Sequence, residues 1–494
     1  SYMVPQYFVK LSDLPYTPNG KIDRKQLPVP SFQSRGKEII ESRNSIDSTL
    51  IKILQELLTI ENISIDDSIF ELGGDSLTAI SLCAKIYSEL NVQIFVKDIL
   101  ENPVIKDLSD FISSKANTLN KRVISSAPEA PYYIASSAQS RMYYASKVSG
   151  DDSILYNISG GLILDKMPDE KKLQTAFNKL IEHQPSLRTY FELNNENVVQ
   201  KICDKIDFKL DISDDSIPES KIDQSFKVFN SPFNLSEAPL FRAKLIKLDD
   251  GKAFLMIAMH HIISDGTSLS ILAQELSKFY NDETIDKLSI DYKDYSVWEN
   301  NAISSGELKD AEDYWLSQFN EDIPVLNMPI TGDRPLVQSF DGNKINYILD
   351  KEITEKLFSI SQNLGVTPYM LLLSVYYILL YKYTAQEDIV VGTPIINRNS
   401  AELYNIIGMF VNSLPLKTNI DSNLSFIDFL KQIKSICLDA YKYQNYPFDK
   451  LVANLNLTRD TSRNPLFDTM FIYQNNGYSP AEFNDIKTKY YVPN

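Results

Sequence analysis

The chain has 494 residues, 43% hydrophobic and 23% charged, with a formal net charge of −16. No Lys/Arg cluster offsets that charge, which argues against nucleic acid or an anionic membrane surface as partner. The length suits about three domains of ordinary size. The three cysteines, Cys83, Cys203 and Cys437, lie far apart with neither metal-ligand spacing nor a disulfide framework, and we expect no metal and a reducing, cytoplasmic setting.

In chain order, residues 1–30 are rich in proline and turn formers and read as the tail of another domain. Lys21 sits there behind a Pro-Asn-Gly turn, in Thr17-Pro-Asn-Gly-Lys-Ile-Asp-Arg24. The opening Ser1-Tyr-Met-Val-Pro5 reads as a cut within a larger polypeptide. Residues 31–44 form a polar linker. From 45 to 115 the period is helical: Leu50, Ile53, Leu54, Leu57 and Leu58 make one apolar stripe. A second helix is predicted to turn Ile80, Cys83, Ile86, Tyr87 and Leu90 inward, and a third carries Val104, Ile105, Leu108, Phe111 and Ile112. Residues 116–131 form a second linker. Beyond it, strands predicted at 160–164, 254–259 and 389–391 mix with helices at 170–181, 269–280, 352–364, 369–381 and 426–441, an α/β pattern long enough for two subdomains. The apolar run Tyr369–Tyr381 is too short to span a bilayer and predicts a buried helix.

Ser76 follows Gly73-Gly-Asp75 and opens the second helix of the first unit. It is a good helix cap, and a phosphate on its hydroxyl would meet unpaired backbone N–H groups. Phe70-Glu-Leu-Gly-Gly-Asp-Ser76-Leu resembles the attachment motif of peptidyl carrier domains in nonribosomal peptide synthetases. The resemblance implies an all-α four-helix carrier bundle with 4′-phosphopantetheine on Ser76, installed by a phosphopantetheinyl transferase. Asn19-Gly-Lys-Ile-Asp-Arg24 is similar to the last motif of adenylation domains, which makes Lys21 the remnant of a substrate-contacting lysine.

Two of the three histidines are adjacent, in Met259-His-His-Ile-Ile-Ser-Asp-Gly266, at the end of an apolar strand. Alternation along a strand sends the two rings to opposite faces, so they cannot chelate one metal ion. One ring should face a scaffold and the other a cleft, with Asp265 organising the following turn. Gly266 would let the backbone pass close to a ligand or take a positive φ. Taken alone, the pair fits a buried strand end as well as it fits a catalytic site.

The segment resembles the active-site motif of condensation domains from the same synthetases, and six more segments match that family in order. They are Ser137-Ala-Gln-Ser-Arg141-Met-Tyr143, His183-Gln-Pro-Ser-Leu-Arg188-Thr-Tyr-Phe191, Tyr292-Lys-Asp-Tyr-Ser-Val-Trp298, Ile407-Gly-Met-Phe-Val-Asn412, Tyr443-Gln-Asn-Tyr-Pro-Phe448-Asp449 and Arg459-Asp-Thr-Ser-Arg-Asn-Pro465-Leu. The resemblance implies two subdomains like those of chloramphenicol acetyltransferase, at 132–300 and 301–494, the second cut short. It implies peptide-bond formation, an upstream adenylation domain and a downstream acceptor carrier. His261 is the expected catalytic residue and His260 its scaffold. Asp265, Gly266 and Arg188 support the site, with Asp265 and Arg188 as a charge pair. His183, Asn412 and Pro447 are assigned structural parts. The rivals are an epimerisation domain, which shares the histidine motif, and a catalytically silent carrier module.

Overall fold

The computed structural model describes residue 40 and residues 42–491, apart from 59, 61, 75, 91, 93, 95–97, 100, 101, 119–123, 321, 322, 331, 340, 341, 399, 458, 459 and 475–482. Lys21, the rest of 1–30, residues 31–39 and 41 of the predicted linker, and Arg459 lie outside the described residues. The chain divides between residues 121 and 122 into two compact units.

The first unit is helical: α1 (Ser45–Leu58), α2 (Ser76–Leu90) and α3 (Ile105–Thr118) stand among its described residues. The predicted stripes meet in one core, where Leu50, Ile53, Leu54, Ile86, Ile105, Leu108 and Ile112 are buried. Leu57, Leu58, Cys83, Leu90 and Phe111 pack around it. Asp47, fully buried in α1, is held by the guanidinium of Arg43 at 2.9 Å and by the Arg43 N–H at 2.8 Å.

The second unit is α/β. Its main sheet runs β10 (Thr488–Tyr491), β2 (Asn157–Leu164), β7 (Ala253–His260), β6 (Phe241–Leu248), β5 (Asp211–Ile217), antiparallel except for the β5–β6 pair. Every residue of β7 is buried, because the central strand has both faces covered. Leu255, Ile257 and Met259 face the main core with α5 (Glu170–His183) and α7 (Gly266–Tyr280). Phe254 and Met256 face Ile222 and Phe226 of α6 (Ile222–Phe229). A smaller sheet, β1 (Tyr133–Ile134), β4 (Asn197–Ile202) and β3 (Thr189–Asn194), lies beside α4 (Ser137–Ser149) in the chain. The later half builds a core of its own around the β8 (Asp388–Ile395) and β9 (Asn412–Asn419) pair, under α11 (Pro368–Thr384) and α12 (Phe426–Lys442). Helices α8 (Tyr292–Ser304), α9 (Lys309–Gln318), α10 (Lys351–Asn363) and α13 (Phe448–Asn454) complete the elements.

The expected division at residue 300 needs correction. β10 returns to the first lobe and pairs with β2 from Thr488↔Leu164 to Tyr491↔Gly161. Phe483, Ile486, Ile407 and Met409 are buried in that same core. An unpaired β2 edge would leave a row of backbone donors and acceptors open, and the late strand covers it. No helix among the described residues is long and apolar enough to cross a membrane; α11 buries Met370, Leu371, Leu373, Tyr377 and Leu380 in the second core.

Candidate active site

His260 ends β7, opposite Asn157 of β2, and is 5% exposed. Its Nδ1 accepts the Ile262 N–H at 3.1 Å, which requires a lone pair there and leaves the ring proton on Nε2, 3.3 Å from Ser146 Oγ of α4. Burial, with the neighbouring His261 adding to it, lowers its pKa to about 4. His260 is thus a neutral side chain across the physiological range, with both ring nitrogens engaged.

His261 does not continue the strand. It opens a 3-10 turn, His261–Ile263, with its backbone N–H on the Tyr156 carbonyl at 2.7 Å. The strand gives way to a turn at His261, so the alternation expected of a strand does not set the direction of its ring. Nδ1 of His261 lies 2.8 Å from the Ser264 carbonyl, which can only accept, so Nδ1–H donates and the Nε2 lone pair is left outward on a partly exposed ring. A ring fixed in this tautomer can accept a proton or a hydrogen bond at Nε2.

Asp265 caps α7, taking the Ser268 N–H at 2.8 Å, and is fully buried. Its ion partner is Arg398, at 3.0 and 3.2 Å, from the segment after β8. Arg398 also donates to the Ile406 carbonyl at 2.7 Å and lies over the Phe410 ring at 4.1 Å. Ser268 Oγ reaches across to the Gly408 carbonyl at 3.0 Å. The expected Asp265–Arg188 pair is therefore wrong. Arg188 ends a 3-10 turn after α5 and donates to the carbonyls of Ile181, Cys203 and Asp204, tying its own loop. Of the two parts expected of Gly266, the positive φ is absent, and a Cβ built there would meet nothing within 4 Å, which leaves room beside the backbone. His183 ends α5, with Nε2 3.5 Å from a Glu275 carboxylate oxygen.

Three residues of this hub, Arg398, Ser264 and Ser268, escaped the sequence reading. Arg398 lies 133 positions from Asp265 with no periodic mark, and Ser264 acts through its backbone carbonyl. Nothing in residue spacing signals Arg398 or the Ser264 carbonyl, and Ser268 declares itself only as the residue that Asp265 caps.

Asn412 staples the 444–448 loop, donating to the Gln444 and Tyr446 carbonyls at 2.9 and 2.8 Å and accepting the Phe448 N–H at 3.1 Å. Beside it lies a small pocket lined by Arg141, Tyr295, Glu299, Asn397, Pro447 and Asp449 among others. Glu299, 4% exposed, accepts the Ser137 N–H at 2.7 Å and the Tyr295 hydroxyl at 2.9 Å. Burial raises its pKa to about 7.

In the helical unit, Ser76 is the first residue of α2. The turn before it demands glycine twice. Gly73 has φ +96°, and a Cβ on Gly74 would stand 2.6 Å from the Ile69 carbonyl oxygen that its own N–H bonds at 2.9 Å. A serine at the start of a 15-residue helix, behind so tight a turn, fits a phosphodiester-linked group, because the first helical N–H groups lack intrahelical partners. Among the described residues no cluster of His, Cys, Asp or Glu could hold a metal ion.

Residues 129–492 match the condensation domain family, and residues 48–112 match the phosphopantetheine attachment site family. Gramicidin S synthase 2 of Brevibacillus brevis is 39% identical over 494 residues, covering 100% of this chain and 11% of that protein. Bacitracin synthase 3 of Bacillus licheniformis is 41% identical over 474 residues, 96% of this chain and 7% of that protein. The chain thus spans about a tenth of the length of such relatives. Among solved structures, the X-domain from teicoplanin biosynthesis superposes with TM-score 0.68 at 20% identity, over 75% of this chain and 84% of that one. The condensation domain of the monacolin K polyketide synthase gives 0.64 at 19%, over 73% and 85%. At these identities the likeness is one of fold.

Proposed function

The chain belongs to the condensation-domain family, joined to a phosphopantetheine attachment domain, and from that premise we propose that it forms peptide bonds between carrier-bound substrates in nonribosomal peptide synthesis. We assign Ser76 as the residue that carries 4′-phosphopantetheine, whose thiol presents the donor acyl group as an activated thioester. A phosphopantetheinyl transferase would load it, an adenylation domain upstream would supply the donor, and a carrier downstream the acceptor. The setting is cytoplasmic.

The observation that carries the reading is the state of His261: Nδ1–H spent on the Ser264 carbonyl, Nε2 free to accept. The acceptor amine attacks the thioester carbonyl, so a C–N bond forms, the C–S bond breaks and the thiol leaves with the displaced proton. An α-amino group titrates at about 7.7–8.0, so roughly a tenth to a sixth of it is already neutral and nucleophilic at pH 7. Nε2 of His261 takes a hydrogen bond from that amine and aims its lone pair. General-base help contributes roughly 10²–10⁴-fold, whereas orienting two held reactants contributes about 7–11 kcal/mol, so positioning dominates. Asp265, Arg398 and Ser268 keep the turn rigid without touching substrate. The open space beside Gly266 leaves the approach to the turn unobstructed.

The test is product identity. With Ser76 loaded as an aminoacyl thioester and an acceptor carrier loaded with a second amino acid, intact-mass measurement should find the dipeptidyl acceptor carrier. Solvent-hydrogen exchange at the donor α-carbon with no dipeptide would establish an epimerase instead. Neither product would leave a silent carrier module.

A further inference from the structure

Ser264 closes the turn His261–Ile263, fully buried and in extended backbone at φ −153° and ψ 159°. Each of its polar groups bonds the histidine pair. The N–H donates to the His261 carbonyl at 3.2 Å, and the hydroxyl donates to the His260 carbonyl at 3.1 Å. The Ser264 carbonyl in turn takes Nδ1–H of His261 at 2.8 Å. That last contact selects the tautomer of His261, and the first two hold the residue that makes it.

The acceptor of the hydroxyl is itself fixed. The His260 N–H donates to the Leu240 carbonyl at 2.9 Å, Nδ1 takes the Ile262 N–H at 3.1 Å, and Nε2 meets Ser146 Oγ at 3.3 Å. A bond to the His260 carbonyl therefore fastens Ser264 to the end of β7. Free imidazole side chains in water favour the proton on Nε2. The opposite form persists at His261 because an acceptor stays on Nδ1, the bond at one ring nitrogen deciding the state of the other. That acceptor leaves only if Ser264 turns, and turning would strip a buried carbonyl of its donor.

We infer that Ser264 is a positioning residue for the proposed condensation: its hydroxyl, bonded to the His260 carbonyl, keeps the Ser264 carbonyl on Nδ1 of His261 and so leaves Nε2 able to accept from the amine. The inference rests on that reaction for its purpose and on these bonds for its geometry.

Ring nitrogens report the tautomer without turnover. The chain has three histidines, so ring ¹⁵N NMR of histidine-labelled protein resolves them, His261 being identified by its loss in His261→Ala. Spectra are recorded at about pH 9, well above an ordinary imidazole pKa. Wild type should show His261 protonated at Nδ1 and bare at Nε2. Ser264→Ala should bring in a measurable share of the Nε2–H form at His261, with His260 unchanged. It should also slow single-turnover transfer between loaded carriers roughly 2–10-fold, the range that one neutral hydrogen bond supports. Ser264→Cys, a weaker donor of similar size, should fall between, and it decides by the same spectra if Ser264→Ala does not fold. An unchanged His261 tautomer in Ser264→Ala would overturn the inference whatever the rate, since a lost rate alone is ordinary loosening of the fold. A shifted tautomer with transfer at the wild-type rate would overturn it as well. Failure to form dipeptide in the wild type would count against the reaction, and the tautomer comparison would still decide the role of the hydroxyl.

Discussion

Burial acts on His260 and Glu299 with opposite sign. His260 has a folded pKa of about 4 against an ordinary 6.5, so the stability from its neutral form is present above pH 6.5 and is lost as pH falls through 4. The total is on the order of 3 kcal/mol. In His260→Asn, whose Oδ1 can still accept the Ile262 N–H, the acid limb of the melting profile between pH 6.5 and 4 should flatten. Glu299 runs the other way. Its folded pKa of about 7 lies above an ordinary 4.5, so its contribution is present below pH 4.5 and is lost as pH rises through 7. Glu299→Gln should match wild type near pH 4 and exceed it at pH 8, again by on the order of 3 kcal/mol. Parallel profiles would contradict that assignment. The sequence marked the His260-His261 pair through its motif, and the structure adds the partners that each ring bonds. It could not reveal Glu299 as a buried acid, because its partners come from Ser137 and Tyr295 and only folding brings Ser137 there.

At the scale of elements, the Asp265–Arg398 pair ties the start of α7 to the segment leaving β8, and so holds the histidine turn against the second lobe. Removing one member of a buried pair leaves the other uncompensated and costs about 3–5 kcal/mol. Arg398→Met should lose that much in urea unfolding, while Asp265→Asn with Arg398→Met should lose less than the sum of the single changes. Gly266 gives the converse case. With nothing within 4 Å of its Cβ position, Gly266→Val should stay within about 0.5 kcal/mol of wild type while slowing condensation, if substrate passes there. Helices α5, α7, α11 and α12 were readable because their apolar periods are long and uninterrupted. β10 was not. Four residues gain their meaning from pairing with β2, more than 300 positions earlier, and no local pattern carries that information. The Asp265–Arg188 pairing failed for the same reason: proximity in motif order is not proximity in space.

For the whole molecule, two independent cores in the second unit share a junction built from α8 and the 403–410 segment, where Tyr292, Tyr295, Leu403, Ile406 and Phe410 are buried together. Two of the motif segments, Tyr292–Trp298 and Ile407–Asn412, contribute buried residues to that junction. One surface stands apart from this economy. Ile345, Tyr347 and Ile348 are 94%, 83% and 91% exposed in a segment without regular secondary structure, an apolar patch of the kind that invites association. Ile345→Lys with Ile348→Glu should raise the solubility limit without shifting the melting temperature. The domain order was legible because each unit carries its own motif and core, whereas the lobe boundary was blurred by a chain that crosses back. The central claim is that His261 presents a free Nε2 to the acceptor amine, and single-turnover transfer from loaded Ser76 to a loaded acceptor carrier tests it most directly. His261→Ala should slow transfer by roughly 10²–10⁴-fold with the melting temperature kept; transfer at the wild-type rate would contradict the account.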